Sequence, residues 1–221
     1  MTRAVLFDIG DTLVERPTVG PGHRLAAALG LSREAARTIT RLLFSQGFAG
    51  REDLARRLQR DLGLARPPLA EVEELWRAQE SEPCEIPGAT ACVAAARAAG
   101  ARIAVVSNIW APYETGFRRA CPSIVPLIES WHLSYREGAV KPDPALFRAA
   151  LAALDVAPRC AVMVGDSLEK DVLPAVELGM RAVWLRPAGD GPSGPVPCEI
   201  VPSMERARDA VLAALRADSG A

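Results

Sequence analysis

The polar residues of this chain with the most chemical potential stand directly after short apolar runs. Ala4-Val5-Leu6-Phe7 ends at Asp8, Ile103-Ala104-Val105-Val106 ends at Ser107-Asn108, and Ala161-Val162-Met163-Val164 ends at Gly165-Asp166. A carboxylate such as Asp8, held at the end of a strand, can attack a phosphorus or carbon centre and form an acyl intermediate that water later cleaves. A buried carboxylate repels an anionic substrate, so a cation has to stand between them. Asp8 and Asp166 offer hard oxygen ligands and the Gly10 carbonyl a third. That donor set suits Mg²⁺, which takes one or two carboxylates plus water and substrate oxygens. Ser107 and Asn108, with the N–H groups at the start of the next helix, can hold phosphate oxygens.

Of the 26 basic residues, only Lys141 and Lys170 are lysines. An ammonium is a compact point charge and a guanidinium a wide planar fork, so a lysine in so Arg-rich a chain is a candidate for a place where only an ammonium fits. Lys141, in Val140-Lys141-Pro142-Asp143-Pro144, is expected to add that charge between Asp8 and a phosphate. Lys170 reads as a solvent-facing helical residue, and His23 and His132 as ordinary polar positions. Trp76 and Trp184 fit core stripes, while Trp110 follows Asn108 closely enough to reach a pocket rim.

The elements that must position these groups alternate. Apolar runs over 4–7, 102–106, 161–164 and 181–185 read as buried strands. Helices are expected over 89–99, 144–154, 170–178 and 204–217. Strands separated by helices make a parallel sheet wrapped by helices, with ligands bound at the carboxyl ends of the strands. Between the first two strands the Pro- and Gly-rich stretch 15–22 reads as a linker, and from about 22 to 80 the pattern is helical throughout. Ser32 is placed to cap a helix carrying Ile39, Leu42 and Leu43; Leu54, Leu58 and Leu62 recur every four residues; Leu69, Val72, Leu75 and Trp76 make a third stripe. The Pro-containing break 81–88 closes this block. The expected division is a Rossmann-like core over 1–14 and 86–221 with an all-helical insertion over 15–85. Residues 187–197 read as a surface loop.

Length and composition fit that plan. The 221 residues suffice for one large domain or a core with a modest insertion. A net charge of -1 makes no electrostatic case for nucleic acid or a membrane surface. No apolar run approaches the roughly 18 residues of a membrane span, and the first residues lack a signal-peptide pattern. Five cysteines, odd in number and far apart, suit buried thiols in a reducing compartment rather than disulfides or zinc. The expectation is a cytoplasmic protein acting on small molecules.

Four segments, in order, resemble the motifs of the haloacid dehalogenase-like (HAD) hydrolase superfamily, the Asp-nucleophile phosphatases and their relatives. They are Phe7-Asp8-Ile9-Gly10-Asp11-Thr12-Leu13, then Val105-Val106-Ser107-Asn108, then Gly138-Ala139-Val140-Lys141-Pro142-Asp143-Pro144, and last Gly165-Asp166-Ser167-Leu168-Glu169-Lys170-Asp171. The resemblance implies that Asp8, Ser107 and Lys141 act in catalysis, that Thr12, Ser107, Asn108 and Lys141 touch substrate, and that Asp8, Gly10, Asp166 and Asp171 hold Mg²⁺. Asp171 would act directly behind the metal or through water. The helical insertion resembles the small cap of one large subgroup, and the substrate implied is a small phosphorylated metabolite.

One position departs from the pattern. Phosphatases of the superfamily normally carry a second Asp two residues after the nucleophile, as the proton donor to the leaving group; here it is Gly10. Asp11 does not simply stand in, because adjacent side chains of an extended segment point to opposite sides. Positioned acid–base catalysis is worth about 10²–10⁴-fold. Four readings follow. The first is a Mg²⁺-dependent phosphohydrolase with its acid from elsewhere, Glu15 being a nearby candidate, or with a substrate whose leaving group needs none. The second is a 2-haloacid dehalogenase, in which Arg24 or Arg41 with Asn108 and Trp110 would cradle halide and carboxylate. The third, a phosphonate-cleaving enzyme working through a cap lysine, falls because 15–85 contains no Lys. The fourth is a catalytically weak phosphate- or partner-binding protein. The first is the expectation carried forward.

Overall fold

The computed structural model describes residues 2–186 and 196–217. The four expected strands form, as β1 (Arg3–Phe7), β2 (Ala101–Ser107), β4 (Ala161–Gly165) and β5 (Arg181–Leu185). Two short strands add to them, β3 (Ser130–Leu133) and β6 (Glu199–Val201), in one six-stranded sheet of order β3-β2-β1-β4-β5-β6. Every pairing is parallel. β1 lies at the centre between β2 and β4, so the ends of these three strands, and with them Asp8, Ser107 and Asp166, are neighbours.

The central strands are apolar on both faces, as a sheet covered by helices on both sides requires. Val5, Phe7, Ile103 and Val105 join the larger core cluster with α5 (Ala89–Ala98) and α10 (Met204–Arg216). The alternate residues Ala4, Leu6, Ala104 and Val106 pack instead with Leu146, Phe147 and Ala150 of α8 (Ala145–Ala153).

The insertion over 15–85 holds four helices where three stripes were read: α1 (Pro21–Ala28), α2 (Arg33–Ser45), α3 (Arg51–Leu62) and α4 (Leu69–Ser81). Ser32 caps α2 as expected, its hydroxyl accepting from the Ala35 N–H at 3.2 Å. Gly63, at φ 65°, ends α3 in the left-handed conformation. The chain enters and leaves this insertion through two adjacent segments: Glu15 N donates to Cys84 O at 2.9 Å and Ile86 N to Leu13 O at 3.0 Å.

Three elements extend or depart from the sequence reading, with physical causes. A helix start is expected after Asn108 but with no range, and that helix forms as α6 (Ala111–Ala120). Pro112 sits in its first turn, where its missing N–H is harmless. Gly116 is where the end of α4 comes closest, and a Cβ there would stand 2.4 Å from the Gln79 carbonyl and 2.6 Å from Pro83 Cγ. The helix read over 170–178 is instead a π turn (Leu168–Val172) followed by α9 (Leu173–Glu177). Pro174 has no N–H to return to Lys170, and the wider turn carries Asp171 fully inside. β3, only four residues long, is followed at once by the single turn α7 (Ser134–Glu137) and shows too little periodicity to be read. Residues 187–195 of the expected loop lie outside the described residues.

No helix among the described residues is long and apolar enough to cross a membrane. All five cysteines are free thiols.

Candidate active site

Asp8 extends β1 by one residue, its N–H donating to Val164 O of β4 at 2.9 Å. The chain then turns sharply: Ile9 O accepts from Leu13 N at 2.8 Å and Val14 N at 3.0 Å, and Asp11 N donates to Val14 O at 2.7 Å. These bonds run through Ile9, Asp11 and Val14 and leave the Gly10 carbonyl unused by the bridge between Gly10 and Val14. Asp11, at φ 53°, turns outward, accepting from Arg16 N at 2.9 Å and pairing with the Arg16 guanidinium at 2.7 Å.

Lys141 ties the strand ends together. Its buried ammonium donates to Asp8 Oδ1 at 2.8 Å, Val106 O at 2.8 Å and Asp171 Oδ1 at 2.6 Å, which uses all three of its protons. Burial alone would lower its pKa, but the charges of Asp171 and Asp8 outweigh burial and hold the ammonium above its ordinary range. Asn108 fixes the Lys141 backbone, donating from Nδ2 to its carbonyl at 2.9 Å and accepting from its N–H at 2.8 Å. Asp171 accepts from Ser167 N at 3.0 Å. The last turn of β4 admits it only because residue 165 is glycine: a Cβ there would lie 2.5 Å from Asp171 Cγ.

One oxygen each of Asp8, Asp166 and Asp171 lies within 4.8 Å of the others. Burial, then the neighbouring Asp8 and Asp171 charges, push the Asp166 carboxyl above the usual carboxylate range. Asp171 rises for the same first reason, against the pull of Lys141. Three carboxylates and one ammonium leave a negative excess in a low-dielectric floor, and hard oxygens so arranged fit a Mg²⁺ ion that would relieve it.

This floor opens into a cavity of about 830 Å³ whose walls include Asp8, Gly10, Ser107, Asn108, Lys141, Asp166 and Asp171. Seven of the eight residues read as site positions therefore converge, over 163 residues of chain between Asp8 and Asp171. Thr12 does not: the turn after Asp8 folds it into the core, fully buried and outside the cavity wall, with no hydrogen-bond partner for its hydroxyl. The Asn108 carboxamide holds the Lys141 backbone with one N–H and one lone pair, and its second Nδ2 proton is left over in a residue that lines the cavity. Glu15 is exposed and outside the wall, and only its backbone carbonyl turns inward, to the Tyr113 hydroxyl at 3.3 Å. Arg24 is held by both carboxylate oxygens of Glu82, and Arg41 is exposed beside a separate groove; neither lines the cavity.

Trp110, read as near enough to reach a pocket rim, does line the wall; the residues that join it there from the insertion had no site signal in the sequence. His23 of α1, Thr40 and Phe44 of α2 and Gln79 of α4 bring the helical insertion over the floor. Trp110 is buried in the wall, edge-on to Trp76 at 5.4 Å, and its Nε1 donates to Gln79 Oε1 at 2.9 Å. Trp184 lines the wall as well as the core and donates to Asp166 O at 2.8 Å. Tyr113, from the first turn of α6, stands beside Gly10; burial, then the charge of Asp8, raises its phenol well above the usual range, so it is a neutral O–H donor.

A haloacid dehalogenase-like hydrolase family model matches residues 2–179. The chain belongs to that family. HAD-like relatives agree with it over most of the chain: the CbbY protein of Cereibacter sphaeroides is 33% identical over 204 residues, 83% of this chain and 84% of that one. A phosphoserine phosphatase of Thermus thermophilus is 55% identical over 53 residues, 24% of this chain, and the match spans about a fifth (21%) of that relative's length. The crystal structure of CbbY from Rhodobacter sphaeroides in complex with phosphate has the same HAD-like fold, with a TM-score of 0.62 and 25% identity over 93% of this chain and 96% of that one. As a HAD-like hydrolase, the chain is an enzyme.

Proposed function

We propose that this hydrolase is a Mg²⁺-dependent phosphatase that removes phosphate from a small phosphorylated metabolite through an aspartyl-phosphate on Asp8. The observation that carries the reading is the Asp8–Lys141–Asp171 bridge with Asp166 beside it, at the floor of a cavity of metabolite size. Relatives bearing the names phosphoserine phosphatase and ribulose-1,5-bisphosphate 5-phosphatase support it.

In this reading the free Asp8 oxygen attacks phosphorus, the bond to the leaving oxygen breaks, and water then cleaves the acyl phosphate to regenerate the carboxylate. Lys141 fixes which Asp8 oxygen is free and offsets part of the local negative charge. Ser107 binds phosphate oxygens. Asp8, Asp166 and the Gly10 carbonyl would hold Mg²⁺, with Asp171 behind them or through water; the ion supplies charge neutralisation that lets an anionic phosphate approach a carboxylate. The helices of 15–85 act as a cap over the core of 1–14 and 86–221 and choose the substrate by what they present to the cavity. The free thiols suit the cytoplasm.

Release of inorganic phosphate from a panel of sugar, amino-acid and acyl phosphates, with Mg²⁺ and with EDTA, tests the reading. Mg²⁺-dependent release that Asp8→Asn abolishes is expected. Chloride release from short 2-haloacids without metal would replace it with the dehalogenase reading, against which Arg24 and Arg41 already stand away from the cavity.

A further inference from the structure

Residue 10 carries no proton and Glu15 faces solvent, so the departing oxygen needs another donor. In an in-line displacement that oxygen leaves on the side of phosphorus away from the attacking Asp8, towards the cavity. Few protonated groups near Asp8 are available there. Lys141 has all three N–H bonds engaged, and a carboxamide such as that of Asn108 donates hydrogen bonds but does not give up its proton. Arg16 is tied to Asp11, and a guanidinium does not give up its proton. His23 and Lys170 also line the cavity, but both are exposed side chains. Tyr113 differs from them in being buried in the wall. Its hydroxyl lies 3.6 Å from the point that a Cβ on Gly10 would occupy, its side chain lines the cavity while only 5% exposed, and its one hydrogen bond, to Glu15 O, is long at 3.3 Å.

We propose that Tyr113 is the proton donor to the leaving group, filling from helix α6 the space that a side chain at position 10 would take. The inference rests on the phosphatase reading. As the Asp8 oxygen–phosphorus bond forms, the electron pair of the breaking phosphorus–oxygen bond goes to the leaving oxygen, which takes the Tyr113 proton. The phenolate recovers a proton from the water that cleaves the acyl phosphate, so the cycle closes without an added reactant. The hydroxyl is held by a rigid element, because Gly116 lets α6 pack directly on the end of α4.

Tyr113→Phe tests this with p-nitrophenyl phosphate, whose leaving group departs as a stable anion, and with phenyl and methyl phosphate, whose leaving groups need a proton. The expected result is a loss of about 10²–10³-fold in kcat on methyl phosphate, an intermediate loss on phenyl phosphate and less than about 5-fold on p-nitrophenyl phosphate. Adding Gly10→Asp to the Phe variant should recover at least about 10-fold on methyl phosphate alone, since a Cβ at position 10 makes only ordinary contacts. Equal losses on all three esters with a lowered melting temperature would make Tyr113 a packing residue and overturn the proposal, as would unchanged rates. A wild-type protein that hydrolyses none of the three would remove the phosphatase reading itself.

Discussion

The Lys141 ammonium and the Asp171 carboxylate, 30 positions apart in the chain, meet at 2.6 Å beneath Asp8. Both side chains are buried, so water compensates neither charge as it would at the surface. Lys141→Met leaves two carboxylates facing each other without a counter-charge and should cost about 3–5 kcal/mol of stability, read by urea unfolding. Lys141→Arg keeps the charge but cannot fit a planar fork to three acceptors arranged around one nitrogen. A drop of about 10²-fold or more in kcat is expected, and full activity would mean that the site does not require an ammonium.

Gly165 makes room for Asp171. Gly165→Ala would press a methyl group to 2.5 Å from the carboxylate carbon, against a strand on one side and the π turn on the other. The expected cost is about 1–3 kcal/mol in thermal or urea unfolding, with reduced turnover because Asp171 is displaced from Lys141. Gly10→Ala, whose new Cβ meets only ordinary contacts, should change stability far less.

Mg²⁺ should bind to and stabilise the folded chain independently of any substrate. At a concentration about 100 times its Kd the ion adds about 2.7 kcal/mol, read as a rise in melting temperature that EDTA reverses. Asp166→Asn should abolish that rise. The same variant should also stabilise the metal-free protein, because it removes a carboxylate crowded by Asp8 and Asp171.

Cys92 and Cys121 couple the core to alkaline pH. Burial, the largest influence on each, pushes both thiols up to about 12 from an ordinary value of 9.0. In the unfolded chain they lose their protons first, so the unfolded state binds fewer protons above about pH 9 and stability falls as pH rises. About 1 kcal/mol per thiol should be lost by pH 10, measured by urea unfolding against pH 8. Cys92→Ala should flatten that slope. At neutral pH the exposed Cys84 should react with iodoacetamide well before either buried thiol.

Much of the site was legible in the chain because its logic is one-dimensional. An apolar run that stops at a polar residue is a buried parallel strand with its carboxyl end marked, and β1, β2 and β4 lie side by side, so Asp8, Ser107 and Asp166 had to meet. The rarity of lysine in an Arg-rich chain singled out Lys141 as a compact cation. What local pattern could not supply was side-chain direction where the backbone turns, and which distant helix covers the floor. The turn after Asp8 sends Thr12 into the core and Asp11 outward. The π turn, set by Pro174 and the absent side chain at Gly165, brings Asp171 inward onto Lys141. Tyr113 and Gln79 reach the cavity only because α6 and α4 pack closely at Gly116. Periodicity records which face of an element is apolar, whereas the placement of these residues depends on contacts between segments tens of positions apart, and that only the packed chain decides.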